Sequence, residues 1–190
     1  VADNARDLHA AIEACSESAD IVMTTGGVSA GRFDLVPAAI EALGGDIIFH
    51  RVAMRPGKPL LFARLADGCV FFGLPGNPIA VAVGVRFFVM AAVAHLQGLA
   101  PERWLPSRCA SPVGTRENLT FFGKAQATVD ADGQLHTRLL PGQESFKIHS
   151  LMRANCWAIV PEGTADVTVG ERIDIAPLYP DSFLNDGNAD

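Results

Sequence analysis

The sequence contains no CxxC pair, no HExxH helix, no credible Ser-His-Asp arrangement, and neither a P-loop nor a dinucleotide fingerprint. Each absence removes a class of chemistry: thiol-redox or zinc-ribbon sites, zinc proteolysis, serine hydrolysis of the α/β type, and the commonest nucleotide cradles. Four cysteines, Cys15, Cys69, Cys109 and Cys156, are far apart, so buried or partly buried free thiols in a reducing cytoplasm are expected. Charged residues make up only 19% of the chain and the net charge is −6, which argues against bulk nucleic-acid binding while leaving room for a local basic patch. There is no internal repeat and no low-complexity segment. No signal-peptide pattern opens the chain, and because it begins with Val1 rather than Met, a fragment or processed start is the expectation.

What is present is enough apolar material for real cores. At 190 residues and 49% hydrophobic content, the chain supports one large domain or two small ones. The one membrane-like run, Ile79 to Leu96, carries Arg86 in its middle and His95 near its end. A bilayer tolerates such an Arg poorly, so a buried helix with one polar edge is expected.

Helical spacing of Leu8, Ala11, Ile12 and Cys15 predicts a helix over Ala2–Glu17, with Asp3 or Asn4 as its N-cap. A short buried strand over Ile21–Thr24 follows, then a helix over Leu35–Leu43 that stops at Gly44-Gly45, and a strand over Ile47–Ala53. Met54–Pro59 is too rich in Pro and Gly for regular structure. Leu60–Leu65 and Cys69–Phe72 flank Ala66-Asp67-Gly68 and read as a hairpin. This alternation implies a sheet covered by helices, and an open sheet of this kind more often begins with a strand, so a leading strand is expected to be missing. After Leu99 the texture changes. Pro101, Pro106 and Pro112 punctuate a stretch leading to short strands at Leu119–Val129, Gln134–Leu140, Cys156–Val160 and Arg172–Leu178, the pattern of a small β-barrel or sandwich. The expected division is an α/β domain over 1–100, a β-domain over 101–178 and a frayed tail over 179–190.

Three loops stand at strand ends in the α/β part: Thr24–Asp34, Met54–Pro59 and Gly73–Pro78. Ligands of open α/β sheets bind outside the carboxyl ends of strands, so these loops are candidates for one crevice. In the first, Gly26, Gly27 and Gly31 let backbone N–H groups approach an anion at a helix N-terminus, and Ser29 adds a hydroxyl. A glycine-rich connector without a ligand remains open. In the second, Arg55 offers a planar fork and Lys58 a movable point charge, on a loop stiffened by Pro56 and Pro59; solvated loop charge is the alternative. Asp34 either caps the helix starting at Leu35 or serves as a metal ligand. In the third, Pro75 and Gly76 lead to Asn77, a natural N-cap before Pro78. His50 is expected to be structural, and Gln143–Ser150 a polar surface connection.

Together, Thr24-Thr25-Gly26-Gly27-Val28-Ser29-Ala30-Gly31…Asp34, Met54-Arg55-Pro56-Gly57-Lys58-Pro59 and Gly73-Leu74-Pro75-Gly76-Asn77-Pro78 resemble the molybdopterin molybdenumtransferase family, which includes the gephyrin E domain. The resemblance continues through Pro141-Gly142-Gln143 and Ser150-Leu151-Met152-Arg153-Ala154-Asn155 to Val160-Pro161-Glu162-Gly163. It implies a three-layer α/β/α molybdopterin-binding-type domain followed by a C-terminal β-barrel. It also implies molybdenum cofactor biosynthesis: insertion of molybdate into adenylylated molybdopterin with release of AMP and with Mg²⁺ involved. The family is cytoplasmic and homodimeric, with molybdopterin adenylyltransferase and molybdoenzymes as partners, and without nucleic acid or membrane.

Carried over by residue, the resemblance gives Asp34 and Lys58 catalytic roles, with Asp34 also the metal ligand. It places Gly26, Gly27, Ser29, Gly31, Arg55, Lys58, Pro75, Gly76, Asn77 and Ser145 against substrate. Arg55 stands where lysine is common, and Arg32-Phe33 where small or acidic residues often precede the aspartate. The family's two N-terminal domains, and the first strand with its Gly-Asp-Glu-Leu motif, have no counterpart in this sequence. A chain beginning at Val1 is therefore expected to bind oxyanions weakly without turnover. A scaffold that keeps the pterin pocket but works through protein partners is the alternative.

Overall fold

The computed structural model describes residues 4–28 and 35–180. Within them the chain forms two compact units, one of residues 1–52 and 57–84, the other of residues 53–56 and 85–190.

The first unit opens with α1 (Ala5–Ser16), capped by the Asn4 side chain accepting from the Asp7 N–H. Strand β1 (Ile21–Thr25) follows, then α2 (Leu35–Ala42), β2 (Asp46–His50), β4 (Leu61–Arg64), β5 (Val70–Leu74) and α3 (Pro78–Gly84). The hairpin anticipated around Ala66-Asp67-Gly68 is β4–β5, antiparallel, with the Asp67 carboxylate accepting from the Cys69 N–H. Helix α2 stops where expected: Gly44 takes φ 67° and the Gly45 N–H reaches back to Ile40 O at 2.9 Å.

The strands lie in the order β1-β5-β4-β2, with β1–β5 parallel and the other two pairings antiparallel. Side chains of Val22, Phe71, Ala63 and Ile47 share one row and pack with Ile12 of α1 and Val36, Ala39 and Ile40 of α2. The opposite face carries the row Met23, Phe72, Phe62 and Phe49, whose last three rings stack at centroid distances of 4.9 and 5.3 Å. On that side α3 approaches Leu74 and Leu60 so closely that a Cβ on Gly84 would stand 2.8 Å from Leu74 Cδ2. The layers are helix, sheet, helix. Met23 and Ile48 are nevertheless 50% and 54% exposed.

The second unit takes β3 (Met54–Arg55), a π-helical turn (Val85–Val89), α4 (Met90–Leu96), β6 (Leu105–Cys109), β7 (Thr120–Val129), β8 (Leu135–Leu139), α5 (His149–Met152), β9 (Cys156–Val160) and β10 (Arg172–Pro177). The pairings run β7-β8-β6-β10-β9, and β9 returns to β7, closing a five-stranded barrel; β3 adds in parallel at the start of β7. Its core gathers Cys109, Phe121, Ala125, Cys156, Ala158, Ile173 and Ile175. Closure removes the unpaired edges that a five-stranded open sheet would present.

Several expectations change. The strand drawn over Ile47–Ala53 ends at His50, where Arg51 turns to φ 75°, and Met54–Arg55 is a strand after all, held by Thr120 and Phe121. Strand β6 was read as a proline-punctuated connection; Pro106 is tolerated because that part of β6 has β10 alone as a neighbour. Ser150 anchors a short helix, α5, within a segment expected to be only loop. The apolar run Pro78–Leu96 is helical and, by length and composition, long enough to cross a membrane. Its first half is buried, whereas α4 has no fully buried residue and is half-buried at best, so the expected buried helix with one polar edge describes the first half better than the second. Arg86, only 5% exposed, forms a bidentate pair with Glu102 at 2.5 and 2.8 Å and donates from Nε to Pro177 O. A charge bound in this way to protein groups belongs to a packed helix, not a span. Finally, all four thiols are free, but Cys15 is exposed while the other three are buried.

Candidate functional site

Parallel pairing of β1 with β5 puts the carboxyl ends of both strands on the same edge, and the first and third loops leave from there. They are joined at their roots. The Gly26 N–H donates to Leu74 O at 2.9 Å, and a Cβ on Gly76 would lie 3.7 Å from Gly26 Cα. Two glycine backbones thus pass each other with no side chain between them. Gly26 has φ 85° and open space where a Cβ would be, whereas Gly27, at φ 69°, faces Val36 of α2. Such a bare backbone surface is suited to an anion or a flat ring. Pro75 is buried beneath it, and Gly76 and Asn77 are exposed.

Val28 anchors the first loop. Its side chain is buried against Gly73, and its carbonyl lies 3.0 Å from His50 Nε2. His50 is therefore structural, as its position on a strand suggested: with Nε2 protonated it ties the first loop to the end of β2. The second loop starts directly after it. There the Val52 N–H donates to Lys58 O at 2.9 Å and the Leu60 N–H to Gly57 O at 3.0 Å, so the Lys58 backbone is fixed. The Lys58 side chain is exposed and makes no hydrogen bond or ion pair among the described residues. An unpaired ammonium on a clamped backbone is a ready anion contact.

Arg55 and Ser145 lie in the second unit. The Arg55 guanidinium stands 4.6 Å above the Phe121 ring and donates to Gly114 O at 3.5 Å, which orients the planar fork. Ser145 is half-buried in the loop between β8 and α5. Ser29, Gly31 and Asp34, together with Arg32 and Phe33, lie outside the described residues, as does the tail from Asp181. Among the described residues no group of three or more His, Cys, Asp or Glu side chains could hold a metal ion.

Two features escaped sequence reasoning. Thr24 Oγ1, near the end of β1 before the glycines, is buried and has no hydrogen-bond partner among the described residues. Lys124 is buried in β7 at 1% exposure; the one signal was a lone cation between Phe121-Phe122-Gly123 and Ala125.

A family model described as a probable molybdopterin binding domain matches residues 1–95, half of the chain. The chain belongs to the molybdopterin-binding domain family. A second model, the MoeA C-terminal region (domain IV), matches residues 108–178, the stretch that forms the barrel. Curated relatives include molybdopterin molybdenumtransferases from Synechococcus elongatus, 36% identical over 166 residues, and Haemophilus influenzae, 29% identical over 181 residues. Those alignments cover 86% and 93% of this chain but only 40% and 44% of the relatives, so the chain spans less than half of their length. Among solved structures, a molybdenum cofactor biosynthesis protein from Pyrococcus furiosus superposes with a TM-score of 0.69 at 23% identity, covering 92% of this chain and 55% of the other. A molybdopterin biosynthesis protein from Pyrococcus horikoshii gives 0.71 at 22% identity, covering 93% and 41%. These two likenesses establish the fold: an α/β/α unit with a closed barrel after it in the chain.

Proposed function

We propose that this chain is the part of a molybdopterin molybdenumtransferase that holds the pterin substrate. The whole protein would insert molybdate into adenylylated molybdopterin and release AMP, as a cytoplasmic homodimer working between a molybdopterin adenylyltransferase and the molybdoenzymes. What carries the reading is the bare backbone crossing of Gly26 and Gly76 at the carboxyl ends of β1 and β5, in a chain whose two halves match the two family models in order.

The residues divide the work by chemistry. Gly26, Gly27 and Gly76 accept the flat pterin or its phosphate against bare main chain, the Gly26 N–H being taken by Leu74 O, with Pro75 and Asn77 fixing the third loop. Ser29 and Gly31 extend the first loop. The Lys58 ammonium holds an oxyanion, molybdate or phosphate, and stabilises the charge that develops as AMP departs. Arg55, oriented over Phe121, offers two parallel N–H donors to a second oxyanion. Ser145 adds a hydroxyl from the barrel. Mg²⁺ would rest on Asp34, which lies outside the described residues; the described ones supply no cluster of three or more ligands, and no step is assigned to the ion.

The test is molybdopterin binding to the chain and to its Lys58→Ala and Asp34→Ala variants. Loss of one charge-assisted contact predicts affinity about tenfold lower for Lys58→Ala. Unchanged affinity in both variants would remove the pocket from consideration.

A further inference from the structure

The 140–150 segment folds around one side chain. Lys124 projects from β7 into protein, 1% exposed, and its Nζ donates to three main-chain carbonyls: Gly142 O at 2.6 Å, Lys147 O at 3.0 Å and Glu144 O at 3.2 Å. Three donors meet three acceptors, which saturates the ammonium. Gln143 wraps the Lys124 backbone from the other side: its Oε1 accepts from Lys124 N–H, and its Nε2 donates to Lys124 O and Leu140 O. Ser150 Oγ donates to Gly142 O at 2.7 Å, closing the loop onto α5.

This arrangement resembles the carbonyl cage of a bound monovalent cation, with the cation supplied by the chain itself. An apolar side chain of equal length would fill the space but take one donor from each carbonyl, leaving Glu144 O to the Lys147 N–H and Gly142 O and Lys147 O to share the Ser150 hydroxyl. An ammonium out of water is itself costly, and burial pushes the Lys124 pKa down, against the opposing charge of Glu144. The strand pairings of the barrel wall do not run through this side chain: β7 pairs with β9 over Phe121–Ala125 and with β8 from Ala125 onward through its backbone. What the ammonium does fix is the path of 142–147, and its acceptors lie on both sides of Ser145.

We propose that Lys124 is a positioning residue: an internal cation whose carbonyl cage sets the Ser145 loop in its substrate-binding conformation. The substrate-binding part of this inference rests on the reading of Ser145 given above; the caging does not.

Four measurements test it. In the unmodified chain, selectively ¹⁵N-labelled at its three lysines, one ammonium shows protons protected from solvent exchange, and that signal is absent from Lys124→Met. Three freely exchanging ammonium groups overturn the caging whether or not any variant folds. Backbone hydrogen exchange on Lys124→Met accelerates at Lys147 and Leu151, with the β7–β9 amides still protected; an unaltered 142–151 pattern overturns it as well. In Lys124→Ala, added propylammonium restores loop protection and propanol does not; equal effects of the two mean that filling volume, not donating hydrogen bonds, is the role, and overturn the proposal. Finally, Lys124→Met weakens molybdopterin binding about fivefold and adds nothing on top of Ser145→Ala. A loosened loop with undiminished affinity in Lys124→Met overturns the link to substrate. If Ser145→Ala alone is also silent, the fault lies in the Ser145 reading, while the caging stands on the exchange data.

Discussion

Cys156 sits in the barrel wall with its side chain fully enclosed, and burial pushes its thiol from an ordinary 9.0 up to about 12. The consequence for stability has a definite sign. Below pH 9 the thiol is protonated in both folded and unfolded chains, so it contributes no pH dependence there. Between the two values the unfolded chain gives up the proton and the folded chain keeps it. Stability that is complete below the unfolded pKa is therefore lost as pH rises toward 12. Thermal melts of the wild type and Cys156→Ala across that range should diverge in slope, with the variant falling less steeply. Parallel slopes would mean that the thiolate is accommodated in the fold. His50 shows the same dependence of role on surroundings: on a strand it suggests nothing catalytic, and its contact to Val28 O makes it an anchor for the glycine loop.

At the scale of elements, β5 and the loop that leaves β1 approach so closely that only glycine fits between them. A Cβ on Gly73 would stand 2.6 Å from Val28 Cγ1 and 3.2 Å from Leu61 Cβ. Val28 cannot retreat freely, since its carbonyl is held by His50 and its side chain is buried. Gly73→Ala should therefore destabilise by about 1–3 kcal/mol and weaken ligand binding by displacing the first loop. Gly76→Ala is the contrasting case: its Cβ would meet Gly26 Cα at an ordinary 3.7 Å, so the melting temperature should hold while a flat ligand loses its approach. Equal thermal effects of the two would refute this account. The sequence announced these glycines because they interrupt apolar runs at strand ends, and it announced the hairpin at Asp67-Gly68 for the same reason. It was mute on β6, where Pro106 masks a strand defined by its long-range partners, β10 along most of its length and β8 at its end. Nor could local pattern show Lys124 turning inward, since its acceptors lie some twenty residues away in the loop it organises. Long-range pairing is the part that periodicity does not encode.

Across the whole molecule charge is scarce, yet an ion pair with a buried guanidinium stands where three separate stretches of the second unit meet. Arg86 comes from the π-helical turn, Glu102 from the connection after α4, and Pro177 from the end of β10. A pair of this kind is weak evidence of net stabilisation, because two desolvation costs oppose one attraction. Its informative property is asymmetry. Glu102 retains 32% of its side-chain exposure while Arg86 keeps only 5%. Removing the carboxylate leaves an enclosed guanidinium with one carbonyl and the Phe87 ring face for company. Removing the guanidinium leaves a carboxylate that water can reach. Glu102→Leu should then cost about 3–5 kcal/mol, Arg86→Met distinctly less, and the double variant should recover most of the larger loss. Urea unfolding of the four proteins measures all three quantities in one cycle. Equal single-variant costs would show that Arg86 reaches solvent when freed. A double variant as unstable as Glu102→Leu would show that the donor to Pro177, rather than the charge pair, is what ties these three stretches together.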